Sequence, residues 1–147
     1  MTCLETFATL RVFSETMTPD SISRVLGVES TKSEPRDEHS KYRTRREQNY
    51  WACCTKDLLN SADGVAHLGK LTTLFAGKGQ ELDSLRAVGC EIDVCCYWVS
   101  SGQGGPLLAI DIMQSLVELK LEIWWDVYFG EDDDYQTEQI PSTEGDA

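Results

Sequence analysis

Histidine is scarce in this chain: His39 and His67 are the only two. Cysteine is not scarce, but its useful spacings are missing. No Cys-x-x-Cys occurs, and four of the six cysteines stand as the vicinal pairs Cys53-Cys54 and Cys95-Cys96. Neighbours in a strand point to opposite faces, so neither pair is expected to share one site. Without ligand-pair spacing, no metal and no cofactor is expected. Long apolar runs are missing too. None reaches the roughly 18 residues that a membrane span needs. The opening Met-Thr-Cys-Leu-Glu lacks the basic start and apolar stretch of a signal peptide. A cytoplasmic protein with reduced thiols, away from membranes, is the expectation.

Positive charge is the other shortage. Lys and Arg number 13 against 25 Asp and Glu, a net charge of −12. Residues 131–147 carry seven of those acids and no Lys or Arg. Direct nucleic-acid binding needs clustered cations and is not expected. A protein partner with a basic surface suits this balance. The remaining composition, 41% apolar and 26% charged, is that of an ordinary globular domain. The chain's 147 residues fit one domain, 1–130, followed by an acidic, flexible tail, 131–147.

Periodicity supplies the elements. Residues 5–13 alternate: Phe7, Thr9, Arg11 and Phe13 against Ala8, Leu10 and Val12. Thr18, Pro19 and Asp20 open a helix that Gly27 closes, with Ile22, Val25 and Leu26 on one face. Residues 29–49 are polar and hold six of the 13 cations. They form a long surface loop with room for a short strand. A strand over 50–55 follows. The segment 60–89 is helical, with Gly77 and Gly79 able to split it, and Gly89 ends it. Residues 90–99 form a strand with Ile92, Val94, Cys96 and Trp98 on one face and Glu91, Asp93, Cys95 and Tyr97 on the other. After Gly102-Gln103-Gly104-Gly105-Pro106 comes a helix with an Ile112, Met113, Leu116, Val117 and Leu119 face, then a strand over 121–129. The fold class is α+β: a single mixed or antiparallel sheet of four to five strands, with two to three helices mainly on one face.

The run Cys95-Cys96-Tyr97-Trp98-Val99-Ser100-Ser101-Gly102-Gln103-Gly104-Gly105-Pro106, the helix after it, and Leu121-Glu122-Ile123-Trp124-Trp125-Asp126-Val127-Tyr128 together resemble the DUF4279 family. Ala8-Thr9-Leu10-Arg11-Val12, Thr18-Pro19-Asp20, Leu26-Gly27-Val28 and the Trp51 strand fit the same pattern. The resemblance covers most of residues 7–129. Ala109 stands where the family usually has a Ser or Thr cap, and Lys120 where it usually has Gly. The family has no established activity, so the resemblance implies a fold and not a reaction.

Candidate binding residues come from two places. Gly102, Gln103, Gly104 and Gly105 precede a helix, and amides at a helix N-terminus can hold an anion. They lack the Lys-Ser/Thr of a phosphate loop, and glycines at positive φ in a structural turn are the simpler account. Arg43 and Arg45, in the cationic loop, could close over such an anion. The second group is aromatic: Trp51, Tyr97, Trp124 and Tyr128, with Asp126 among them. Trp98 and Trp125 share faces with aliphatic residues and belong to the core. Tyr97, Trp124 and Tyr128 share a face with acids and would be a contact surface if no helix covers it. Paired carboxylates for acid–base work, Glu91/Asp93 and Glu122/Asp126, read more simply as a solvated sheet face. His67 lies beside an apolar helical stripe, where a catalytic partner is not indicated. No catalytic residue is assigned.

These residues suggest a non-catalytic acidic protein-binding module. It would be an inhibitor of another protein, of the immunity type or the phage anti-defence (anti-CRISPR) type. The alternative is a small-molecule or anion-binding sensor or enzyme with a pocket at Gly102–Pro106. A homodimer formed through an edge strand is a third reading.

Overall fold

The strand alternation at the N-terminus needs one side of a sheet in oil and the other nearer water, and that is how β1 (Cys3–Ser14) sits. Thr6, Ala8, Leu10, Val12 and Ser14 are buried, while Phe7, Thr9, Arg11 and Phe13 are half-buried. The structure is a computed structural model that describes residues 3–130. The expected acidic tail, 131–147, lies outside the described residues. Helix α1 (Pro19–Leu26) is punctuated as its residues require. The Thr18 hydroxyl accepts from the Ser21 amide, and Gly27 takes the left-handed conformation at φ 66° that an L side chain avoids.

The polar stretch after α1 holds β2 (Lys32–Glu34) and a short helix, α2 (Arg43–Glu47), before β3 (Asn49–Cys54). Helix α2 buries no residue, so no apolar period announces it. Gly77, at φ 76°, divides the next helical stretch into α3 (Gly64–Leu74) and α4 (Gly79–Ala87). That division and α2 raise the helix count above the two to three expected. Strand β4 (Glu91–Ser100), helix α5 (Ile110–Leu119) and β5 (Ile123–Phe129) complete the order.

The sheet has five strands in the order β2-β3-β1-β4-β5. The first three pairings are antiparallel. Only β4 and β5 run parallel, joined through α5, as a crossover connection requires. The α+β class therefore holds, with a mixed sheet. Ile22, Leu26, Leu68, Leu71, Phe75, Leu82, Leu85, Ile112 and Leu116 bring α1, α3, α4 and α5 into one core with Leu10, Val12, Trp51, Cys53, Val94 and Cys96 of the sheet. All four helices thus share one face. Each vicinal cysteine pair is split as expected: Cys53 and Cys96 are buried in this core, while Cys54 and Cys95 point the other way.

The expected apolar face of α5 is narrower than its sequence suggests. Ile112, Leu116 and Leu119 are buried, but Met113 is 40% and Val117 75% exposed. With Ile110 they line a shallow open depression of about 450 Å³. The helix packs against α3 and α4, and among the described residues its other flank has no neighbour to bury it.

At the end of α5, Lys120 stands in the left-handed region at φ 54°. Its ammonium lies 3.2 Å from Asp83, an exposed pair. A lysine there costs roughly 1–2 kcal/mol over glycine in backbone sterics. The exposed ion pair returns little, and glycine's extra chain entropy offsets part of the gain. Lys120→Gly is expected to raise the melting temperature by about 1–3 °C. A fall in scanning calorimetry would show that the Asp83 contact outweighs the strain.

Candidate functional site

Register fixes what the uncovered face of the sheet carries. Residues directly paired across strands share a face. One row runs Glu34, Tyr50, Phe13, Glu91. The next runs Lys32, Ala52, Arg11, Asp93. Then come Cys54, Thr9, Cys95, Trp124, and finally Phe7, Tyr97, Asp126. Tyr128 follows Asp126 by two positions on β5 and returns to the same face. The four core helices α1, α3, α4 and α5 pack on the opposite side.

The rings on this face form a ladder. Phe7 stacks on Tyr97 with centroids 4.6 Å apart and planes at 15°, and Tyr97 meets Tyr128 at 5.3 Å. Tyr128, 50% exposed, ends the ladder at the sheet edge, and Trp124, 64% exposed, stands on the same face of β5. Asp126 lies between them, its Oδ2 accepting from the Tyr128 hydroxyl at 3.3 Å. The Asp126 charge, helped by that hydrogen bond, pushes the Tyr128 phenol above its usual range. The sequence-based grouping of Tyr97, Trp124, Asp126 and Tyr128 is thus brought together in space.

Other residues join them that the sequence did not single out. Arg11 Nε and Nη2 each donate to Asp93 at 2.7 Å, and its guanidinium sits 5.5 Å from the Phe13 ring centroid. The Asp93 hydrogen bonds hold the guanidinium well above its ordinary value. Lys56 lies 3.6 Å from Glu5 and 5.3 Å from the Phe7 centroid. Strand register was the signal for the first. Lys56 follows β3, where no alternation places it.

Three sequence candidates fall elsewhere. Trp51 is fully buried, its indole N–H donating to Ser23 Oγ at 2.8 Å and its ring edge-on to Phe75. It is core and meets no external ligand. The reason is register: Trp51 pairs with Val12, on the helix-covered side. Arg43 is exposed and bonds Glu47 one turn on, at 3.0 Å. Arg45 is paired with Glu34 at the β2 edge.

The glycine turn also differs from its expectation. Residues 101–105 are exposed, and Gly104 has φ 115°. The Ser100 hydroxyl donates to the Gly102 carbonyl at 2.8 Å and closes the corner. Helix α5 begins only at Ile110, with Ala109 at its cap making no side-chain hydrogen bond. The glycine amides are therefore not the helix's N-terminal amides. Nor can the cationic loop fold over them. The turn leaves β4 after Ser100, while α2 adjoins β3 at Asn49, whose neighbour along the strand, Tyr50, is level with Glu91 through Phe13. Nine residues of strand, about 30 Å, separate those rows. Arg43 and Arg45 do not meet Gly102–Gly105.

The remaining titratable groups are structural. The Thr55 hydroxyl accepts from the Ala8 amide at 3.0 Å and lies 2.6 Å from His67 Nδ1. His67 Nε2 is 2.8 Å from the Ser61 carbonyl. A carbonyl only accepts, so Nε2 carries the proton and Nδ1 accepts from Thr55. His67 pins the β3 exit to α3. Burial pushes the Cys3, Cys53, Cys90 and Cys95 thiols up, and Cys96 up to about 12. None of these five is poised as a thiolate nucleophile. Among the described residues no group of three or more His, Cys, Asp or Glu could hold a metal ion. No described helix is long and apolar enough to cross a membrane.

Neither the curated proteins nor the solved structures compared with the chain give a match. A family of domains does: residues 4–130 match DUF4279, a domain of unknown function. That span runs from the second residue of β1 to the residue after β5, and the chain belongs to the DUF4279 family.

Proposed function

We propose that the protein is a non-catalytic binding module that holds a basic partner protein on the uncovered face of its sheet, as an inhibitor of the immunity or phage anti-defence (anti-CRISPR) kind would. One observation carries this reading. The face presents a Phe7–Tyr97–Tyr128 ladder with exposed Trp124 and with Asp126 beside it on β5, and the core helices pack on the opposite side. Exposed aromatic surface of this kind marks interaction sites. Tyr and Trp contribute large contact area there. The net charge of −12 selects for a cationic partner and speeds the encounter. Affinity capture from the native cell should retain a partner at low salt and release it as salt is raised. No captured protein, or capture indifferent to salt, would sink the proposal. The alternative, a small-molecule or anion-binding sensor or enzyme with a pocket at Gly102–Pro106, would have to work without Arg43 and Arg45, which pair with Glu47 and Glu34.

A dimer through β5 is a second reading, favoured by the contrast between the sheet's two edges. Strand β2 is short and carries Lys32 and Glu34, which discourages pairing. Strand β5, Ile-Trp-Trp-Asp-Val-Tyr-Phe, has no Lys, Arg or Pro. Sedimentation equilibrium separates the readings. A self-pairing chain of this charge would associate more as salt rises, opposite to binding a basic partner.

A further inference from the structure

Several carboxylates on the uncovered face stand beside aromatic rings, and Asp93 and Glu5 each hold a cation from the chain itself. Asp93 has Arg11, which also lies over Phe13. Glu5 has Lys56, which also lies over Phe7. Asp126 has rings on three sides. Trp124 and Tyr128 precede and follow it on β5, and Tyr97 is its register partner on β4. Its described hydrogen bond is from the Tyr128 hydroxyl. No described Lys or Arg forms a salt bridge with it, and residues 131–147 contain neither.

We propose that Trp124, Asp126, Tyr128 and Tyr97 form a receptor for one arginine side chain of the partner. The assignment rests on the binding-module reading above and names the chemistry of its central contact. Successive same-face positions on a strand are about 7 Å apart. That leaves a planar group room to stack at ~3.5 Å on one ring while its edge reaches the Asp126 carboxylate. A guanidinium fits this geometry better than an ammonium. It is planar, weakly hydrated, stacks on rings and pairs a carboxylate through two N–H groups. The 64% exposure of Trp124 and 50% exposure of Tyr128 leave both walls open to it.

The test is a titration of the full chain with Nα-acetyl-arginine methylamide, followed by ¹H–¹⁵N NMR. The lysine analogue and Asp126→Asn serve as comparisons. A single exposed cation–aromatic–carboxylate contact predicts a dissociation constant on the order of tens of millimolar. The Trp124 indole N–H and the amides of residues 124–128 should shift saturably. The Trp51 and Trp98 indoles, both in the buried interior, should not. The lysine analogue should bind several-fold more weakly, and Asp126→Asn should weaken arginine about tenfold. Because Asn is isosteric, unchanged resonances elsewhere confirm that the variant folds. If it does not fold, Tyr128→Phe, which keeps the ring and removes the hydroxyl to Asp126, carries the comparison with a smaller loss. The proposal is overturned by no saturable shift at Trp124, by equal binding of both analogues, or by shifts spread over the acidic surface at large. Arginine binding without any captured partner would overturn the wider functional reading and leave the receptor standing. Partner capture without arginine binding would do the reverse.

Discussion

Trp51→Ala is expected to cost about 3–5 kcal/mol of stability, a range typical of emptying a large aromatic site in a core. The indole is fully buried, packs edge-on to Phe75, and donates to Ser23 on α1. Truncation therefore opens a cavity at the junction of β3, α1 and the segment after α3. It also removes a tie between sheet and helix. Domains of this size hold only about 5–15 kcal/mol in all, so the urea midpoint should fall by about a fifth or more and the melting temperature by about 6–20 °C. Trp124→Ala provides the internal contrast. Its side chain is mostly in water, and the loss should stay within about 0.5 kcal/mol. Equal losses at the two positions would mean that the two faces of the sheet have been assigned the wrong way round.

That contrast marks the limit of what the sequence could say. All four tryptophans lie in strands, and alternation separates Trp98 and Trp125 from Trp124 because those strands mix rings with aliphatic residues and acids. Strand β3 offers no such contrast. In Asn-Tyr-Trp-Ala-Cys-Cys both faces are apolar or small, so only the pairing of Trp51 with Val12 decides its side. Period-two and period-3.6 patterns pointed to β1, β4, β5, α1, α5 and the helical stretch that Gly77 divides into α3 and α4, while β2 had only room within a polar loop. They could not give α2, which buries nothing, or the exposed flank of α5. An amphipathic stripe records how much apolar surface a helix has and not how much of it a neighbour covers.

The candidate site was legible in part for the same reason. Tyr97, Trp124, Asp126 and Tyr128 follow from alternation along two strands, and the parallel register of β4 and β5 then brings them together. Whether a second layer of helices covered them depends on where every helix packs, which is a property of the whole core. Distance was the other unreadable quantity. Arg43, Arg45 and Gly102–Gly105 look combinable on paper, yet the strand order β2-β3-β1-β4-β5 sends them to different ends and edges of the sheet.

The double variant Trp124→Ala/Tyr128→Ala should weaken the captured partner's binding by about 30-fold or more, the loss expected when interface hot spots are truncated. Its melting temperature should stay within a few degrees of the parent, since both side chains are at least half exposed. The two effects have different physical origins, which makes the result diagnostic. Ring removal deletes contact area and stacking, so the loss should appear as faster dissociation and persist at high salt. Asp126→Asn deletes one charge of the same site, so it should also reduce the salt dependence of association. Val88, 53% exposed on the far side of the molecule at the end of α4, is the matched control. Val88→Ala should leave partner affinity unchanged. Should the double variant bind as tightly as the parent while Val88→Ala binds less well, recognition lies on the helical side and the uncovered sheet face is not the binding surface.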